Sequence, residues 1–292
     1  MKNLLNISTI LFAIITLAFF SSCTPESITD IEKEIPTIDV EVETADLHHI
    51  HDDVCNHVKH LDFDLENPEE IDFQFPDGTV EKRFLIEGDI AMTRAELEQL
   101  KEEMNGDLRQ YRTYNLVNAP RVIDVVGWVG PNFTLTPKMK QGLQWAVNNY
   151  NNLNTGLTFK LTFVSSVVPY GDIVVYKTTN GRTGGRAGFP SGGNPYKWVQ
   201  IFDGMENLSV NAIEHVMTHE IGHCLGLRHS DYNTRASCGQ NHNEGAGVEG
   251  AVHIPGTAGA GADLNSVMQA CFSSSVNGEF SAYDKIALEY LY

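Results

Sequence analysis

His219-Glu220-Ile221-Gly222-His223-Cys224-Leu225-Gly226-Leu227-Arg228-His229 places three imidazoles and one carboxylate at spacings that chemistry can use directly. On an α-helix each residue advances about 100°, so His219 and His223 project from one face and their ring nitrogens can converge on a single ion. Gly226 can take the positive φ that ends a helix and turns the chain back, which brings His229 toward the same ion from outside the helix. A Zn²⁺ ion held by three neutral imidazoles keeps a position open for water, lowers that water's pKa toward ~7, and needs a carboxylate nearby to take the proton. Glu220 is expected to be that general base, with His219, His223 and His229 as the metal ligands.

The extended pattern HExxHxxGxxH resembles the metzincin zinc peptidases, in which a Met-turn follows downstream. Met268, in Asn265-Ser266-Val267-Met268, looks like that turn. Within the metzincins, the HEIGH wording, the pair Cys238 and Cys271, and the C-terminal FSAYDKIALEYLY are similar to the bacterial dual-action HEIGH metallopeptidases, over roughly residues 85 to 292. The resemblance implies an α+β fold. A metzincin-like catalytic domain with a twisted mixed sheet, an active-site helix, a Met-turn and a C-terminal helix would follow a small pro-segment. It also implies one zinc ion per catalytic domain and hydrolysis of peptide or protein substrates. The alternative is a non-catalytic surface lipoprotein that uses the same scaffold for binding, against which the intact Glu220 argues.

The start of the chain carries an address. Lys2 precedes a mostly apolar run from Leu4 to Phe20 that ends in Ser21-Ser22-Cys23, which reads as a signal peptide with a lipoprotein-type cleavage site and Cys23 as the lipidated residue. A run of this length could also be a single membrane anchor, but Asn6, Ser8, Thr9 and Thr16 within it favour the signal peptide. Either reading exports the protein to the cell envelope or surface.

Removing 22 residues leaves 270, enough for a catalytic domain and a smaller segment. Between Thr24 and Asn118 there are 25 acidic against 8 basic residues, a net of −17, whereas Ala119 to Tyr292 has 13 against 11, a net of −2. Acidity confined to the first half excludes a phosphate-binding face there and argues against nucleic acid. The expected organisation is a signal peptide over 1–22, an acidic tether over 23–45, an acidic pro-segment over 46–118 and the peptidase domain over 119–292. Five histidines, His48, His49, His51, His57 and His60, surround Cys55 and match no closed zinc pattern, so they read as a polar local helix, the alternative being a cluster that binds metal or places the Cys55 thiolate on the catalytic zinc as a latency switch.

Leu85-Ile86-Glu87-Gly88-Asp89-Ile90 resembles the pro-segment motif of the astacin branch, which makes Asp89 the candidate metal ligand of a latent state. Read from its residues alone, the stretch is a turn ahead of a helix that Thr93 caps with Glu96 and that runs to about Met104. Val122 to Val126, Leu157 to Val164, Asp172 to Tyr176 and Trp198 to Phe202 read as strands, and Thr136-Pro137 opens an amphipathic helix. The glycine-rich stretch 181–195, with Arg182 and Arg186, falls where a metzincin has the edge strand of its cleft.

Ser209 is the expected N-cap of the metal helix, and His215, one turn before His219, reads as a helix-surface or supporting histidine. Asp231 either orients a ligand imidazole or turns the loop. From Tyr232 to Asn265 no periodicity survives, and a loop so long is usually functional. Cys238 lies near its start and Cys271 just beyond its end, and they are the natural disulfide pair of an exported chain, with Cys224 as a buried hydrophobe. Ser281 with Asp284 caps a last helix. No tyrosine follows Met268 where astacins carry one, so that residue type is not available for oxyanion stabilisation. Substrate identity, a calcium requirement and oligomeric state are not specified by the sequence.

Overall fold

The computed structural model describes residues 69–97, 112–166, 170–245, 250–257 and 263–292. Cys23, the five histidines around Cys55, and the helix beyond Leu97 lie outside them.

The acidic stretch before the catalytic domain forms an antiparallel sheet of three strands in the order β1 (Glu69–Gln74), β2 (Val80–Ile86) and β3 (Ile90–Met92). Its first hairpin closes on Pro76-Asp77-Gly78. Asp77 Oδ1 accepts from the Thr79 backbone N–H at 2.9 Å, and Gly78 takes φ +88°, a conformation that favours glycine. Residues 94–97 then begin a helix, with Thr93 Oγ1 accepting from Glu96 N and the Glu96 carboxylate accepting from Thr93 N.

A second sheet has five strands in the order β5-β4-β6-β8-β7. These are β4 (Arg121–Trp128), β5 (Leu157–Val164), β6 (Ile173–Thr178), β7 (Gly185–Arg186) and β8 (Trp198–Phe202). All neighbours are parallel except β7, which runs antiparallel to β8 at the edge. Parallel neighbours require a crossover, and α1 (Pro137–Asn151), capped by Thr136, supplies it between β4 and β5. The active-site helix α2 (Val210–Leu225) packs on α1 so closely that a Cβ at Gly142 would stand 2.7 Å from Ile213 Cγ2. The last helix is α3 (Ala282–Leu291).

The central sheet is buried on both faces. Ile123, Val125, Ile173, Val175, Val199 and Ile201 face the helices in one core. Val126, Trp128, Val174 and Tyr176 face the other way and are covered by Ile71, Phe73 and Ala91 of the three-stranded sheet. That explains why β6 reads as an unbroken apolar run rather than an alternating one. Polar ties fix the covering sheet: Tyr176 Oη donates to Gln74 O at 2.7 Å, Tyr196 Oη donates to Ala91 O at 2.8 Å, and Arg83 lies over the Phe73 ring at 4.2 Å. Beyond the gap in the described residues, Thr113 N donates to Gly226 O at 2.8 Å and Asn118 N to Gly193 O at 3.0 Å, so residues 112–118 are already joined to the catalytic domain.

Candidate active site

Helix α2 begins at Ser209, whose hydroxyl accepts from Ala212 N, and ends at Gly226 with φ +105°. Left-handed backbone there is what turns the chain toward His229. A side chain at Gly226 would also meet Asn115 O at 2.7 Å, so two constraints select glycine. Within the helix, a Cβ at Gly222 would stand 2.5 Å from Met268 Sδ. The turn carrying Met268 is thus seated directly beneath the helix, in contact with the backbone between the two histidines.

Each imidazole is oriented through Nδ1. His219 Nδ1 bonds Val267 O at 2.8 Å, His223 Nδ1 bonds Leu227 O at 2.7 Å, and His229 Nδ1 bonds both Glu244 carboxylate oxygens at 2.8 and 3.0 Å. Carbonyl and carboxylate oxygens only accept, so these nitrogens carry the ring hydrogens and each Nε2 of a neutral ring is left as an acceptor. The Nε2 atoms of His219 and His223 lie 2.9 Å apart. Asp89 Oδ2 stands 2.9 Å from His229 Nε2, 3.4 Å from His219 Nε2 and 3.9 Å from His223 Nε2. Four acceptors converge, all within 4.8 Å of one another. With every ring neutral these four atoms have no hydrogen to share among themselves, and a cation resolves that, with the three imidazoles and the carboxylate matching the four positions of a tetrahedral zinc site.

Without a cation, protons must serve. Burial drives His229 toward its neutral form, yet the Asp89 and Glu244 carboxylates hold it well above the usual imidazole range. Burial pushes the Asp89 carboxyl up, and His229, then hydrogen bonds from His219 and His229, pull it well below its ordinary value.

Glu220 is 2 % exposed, and burial followed by the Asp89 charge raises its carboxyl well above the usual range, against His229 and Arg186. Its Oε2 is buried without a hydrogen-bond partner. A cavity of about 150 Å³ opens beside it, lined by Asp89, Gly185, His215, His219, Gln269 and Phe272 among others. The edge strand comes so near that a Cβ at Gly185 would stand 2.7 Å from Glu220 Oε1. Beyond β7, Ala187 exchanges both backbone hydrogen bonds with the chain around Asp89: Ala187 N donates to Asp89 O at 2.9 Å and Ala91 N to Ala187 O at 2.7 Å.

Of the two readings of Asp231, the structure shows the loop tie. Its carboxylate accepts from Ser237 N at 2.8 Å and Ala270 N at 2.9 Å, while Glu244 holds the His229 imidazole. His215 stays outside the cluster. Its ring packs on Phe272 at 5.5 Å, its Nε2 has no partner, and burial, then His219, lower its pKa to about 3. Cys238 and Cys271 are disulfide-bonded, and Cys224 is buried and free. The capping box of α3 has a second duty. Asp284 accepts from Ser281 N and also from Val267 N, both at 2.9 Å, and from Ser266 Oγ at 2.6 Å, so the last helix props the turn whose carbonyl holds His219.

Comparison with solved structures finds two determinations of myroilysin. One is 18% identical, covering 57% of this chain and 78% of that chain with a TM-score of 0.35. The other is 17% identical, covering 61% and 96% with a TM-score of 0.33. A metalloproteinase-II from Bacteroides fragilis is 11% identical over 82% of this chain and 69% of that chain, with a TM-score of 0.35. No curated protein matches. The model of the dual-action HEIGH metallopeptidase family matches residues 84–292. That span takes in α2 with its three histidines and Glu220, the Met268 turn and the capping box beneath it, and on it the chain belongs to the dual-action HEIGH family of metallopeptidases, whose members carry a catalytic metal and act on peptide or protein substrates.

Proposed function

We propose that this chain is an exported, lipid-anchored zinc endopeptidase held latent by the residues that precede its catalytic domain. The observation that carries the reading is the convergence of three Nε2 atoms on Asp89 Oδ2, with the buried Glu220 carboxylate alongside. His219, His223 and His229 would hold the ion. Zinc there supplies Lewis acidity, polarising a peptide carbonyl and acidifying water.

The chain's own residues do the rest. Glu220 takes the proton of the attacking water and hands it to the leaving amine; burial, by raising its pKa, suits it to both halves of that task. Glu244, Val267 O and Leu227 O hold the ring hydrogens on Nδ1 and so keep each Nε2 available. Asp89 excludes water from the position it fills. The chain around it also takes the backbone groups of Ala187, where an extended substrate would add as a strand. Latency therefore has two parts, one at the ion and one at the sheet edge. The leader ending at Cys23 and the charge split support export and a separate pro-segment. The backbone bonds of Thr113 to Gly226 and of Asn118 to Gly193 support an activating cut ahead of Arg112.

The test uses the full-length chain. Zinc content and casein cleavage are measured with and without chelator, and for Glu220→Ala and Asp89→Ala. We expect equal zinc in all three proteins, no cleavage by Glu220→Ala, and, by Asp89→Ala before any processing, cleavage above that of the unsubstituted chain but below that of the processed chain, because the backbone pairing at Ala187 still covers the sheet edge. Bound zinc without Glu220-dependent cleavage across a broad substrate panel would establish the non-catalytic binding scaffold instead.

A further inference from the structure

A buried ion pair joins the turn that carries Asp89 to the domain that carries the histidines. Glu87 adopts φ +55°, a left-handed backbone that is unfavourable for a residue with a Cβ, typically by about 1 kcal/mol or more. What offsets it is the side chain. Glu87 is partly exposed as a residue, but its side chain is only 1% exposed, and its carboxylate contacts the Arg228 guanidinium, whose side chain has no exposure at all. Glu87 Oε2 lies 3.7 Å from His229 Nδ1, so this contact is beside the metal-ligand set rather than remote from it. Arg235 Nη1 donates to the Glu87 carbonyl at 2.9 Å.

Among the described residues, groups of the catalytic domain also face Arg228. Its Nη1 donates to Gly245 O at 2.8 Å and Gly250 O at 3.2 Å, and its guanidinium lies 5.3 Å from the Tyr232 ring centroid. The domain thus positions the cation, and the turn supplies a carboxylate to it.

We propose that Arg228 is a carboxylate-recognition subsite of the substrate cleft, filled here by Glu87 and filled, when the turn is displaced, by an acidic side chain of the peptide substrate. The proposal rests on the peptidase reading above and adds the substrate class to it. A guanidinium keeps its charge at any accessible pH, and removing one partner of a buried pair leaves an uncompensated charge. A carboxylate restores the charge-assisted bonds, in the planar geometry that guanidinium matches best. Glu87 lies two residues from Asp89, so the acidic side chain falls within three residues of the scissile bond.

In the full-length chain, Glu87→Ala opens a carboxylate-sized gap beside Arg228. Its melting temperature is expected to fall, and millimolar propionate is expected to restore most of the loss while isosteric propionamide does not. In Glu87→Ala with Arg228→Met neither additive acts, and with Arg228→Lys propionate still acts partly. The substrate arm uses zinc-loaded full-length chain carrying Glu87→Ala and Asp89→Ala, profiled on a peptide mixture. Asp or Glu is expected within three residues of the cut, with at least a tenfold loss of kcat/KM when that residue becomes Gln. Arg228→Met should abolish the preference while neutral peptides are still cleaved. Equal action of propionate and propionamide overturns the proposal, as does cleavage indifferent to acidic residues. If propionate acts selectively but zinc-loaded protein cleaves nothing, even after limited proteolysis ahead of Arg112 has released the covering sheet, the carboxylate site stands and it is the peptidase reading that fails.

Discussion

Gly185→Ala tests whether the edge strand and Glu220 are fitted to each other as tightly as the structure shows. The added Cβ would lie 2.7 Å from Glu220 Oε1, 2.8 Å from Glu220 Cγ and 2.9 Å from Gln200 O. Carbon–carbon contacts settle near ~3.5 to 4.0 Å, so the Glu220 stem must retreat by roughly 0.7 Å. The strand cannot retreat instead, because Gln200 O is backbone of β8 and blocks it. Overpacking of this kind costs about 1–3 kcal/mol of stability, and a displacement near 1 Å at a reacting group costs on the order of 100-fold in rate. The metal should be unaffected, since none of the three imidazoles lies among the atoms nearest to Gly185. We therefore expect kcat/KM on a casein-derived peptide to fall about 10- to 100-fold with full zinc stoichiometry, both measured against unsubstituted chain processed identically. Full activity in that variant would refute the reasoning, and lost zinc would show that the strand supports the metal rather than Glu220.

Glu214, 3 % exposed on α2, has its pKa raised from 4.5 to about 7 by burial and then by Glu279, against a hydrogen bond from Asn149. The unfolded carboxyl ionises first, so the fold loses stability as pH rises from 4.5 through 7; Glu214→Gln should be neutral near pH 4 and stabilising by up to about 3 kcal/mol above pH 7 in urea unfolding, at ~1.4 kcal/mol per unit. A pH-independent difference would reject that account. Glu244→Ala removes the carboxylate on His229 and should weaken zinc affinity about 10- to 100-fold in chelator competition, and unchanged affinity would count against its orienting role. Asp284→Ala strands Val267 N, Ser266 Oγ and Ser281 N together and should cost about 3 kcal/mol, with weaker zinc binding as its second sign; loss of stability alone would confine Asp284 to capping.

How much of this could be read beforehand depended on whether a signal was local. Three histidines and a glycine declare themselves because helix periodicity turns spacing into direction, and Ser209, Thr136 and Ser281 declare helix starts because capping is a matter of three residues. Glu244 could not be found that way. It reaches His229 from a loop without periodicity, and a carboxylate fifteen residues from its partner has no preferred spacing, whereas Asp231 lies two residues from His229. The pairing of Glu87 with Arg228 spans 141 residues and left no trace in either neighbourhood. The hairpin of β1 and β2 was a different kind of miss: Pro76-Asp77-Gly78 between two alternating runs is a legible turn signal, obscured by the acidity of the stretch around it. The double duty of Asp284 was hidden because its role in the capping box already accounted for it.

The three-stranded sheet that covers Val126, Trp128, Val174 and Tyr176 bears on time as well as on structure. On the activation proposed above, a protease that severed the chain ahead of Arg112 would break one covalent bond and none of the apolar contacts, so scission and unmasking would be separate events with separate rate constants. The first would depend on the concentration of the activating protease; the second would be a unimolecular departure whose pace is set by the area those side chains must expose to water. A population of cut molecules would then open like a decaying isotope, with a half-life written into the packing of Trp128 and Tyr176 rather than into the supply of any activator. Substitutions in that covering layer, far from the metal, would lengthen or shorten the delay while leaving the chemistry of the opened enzyme untouched.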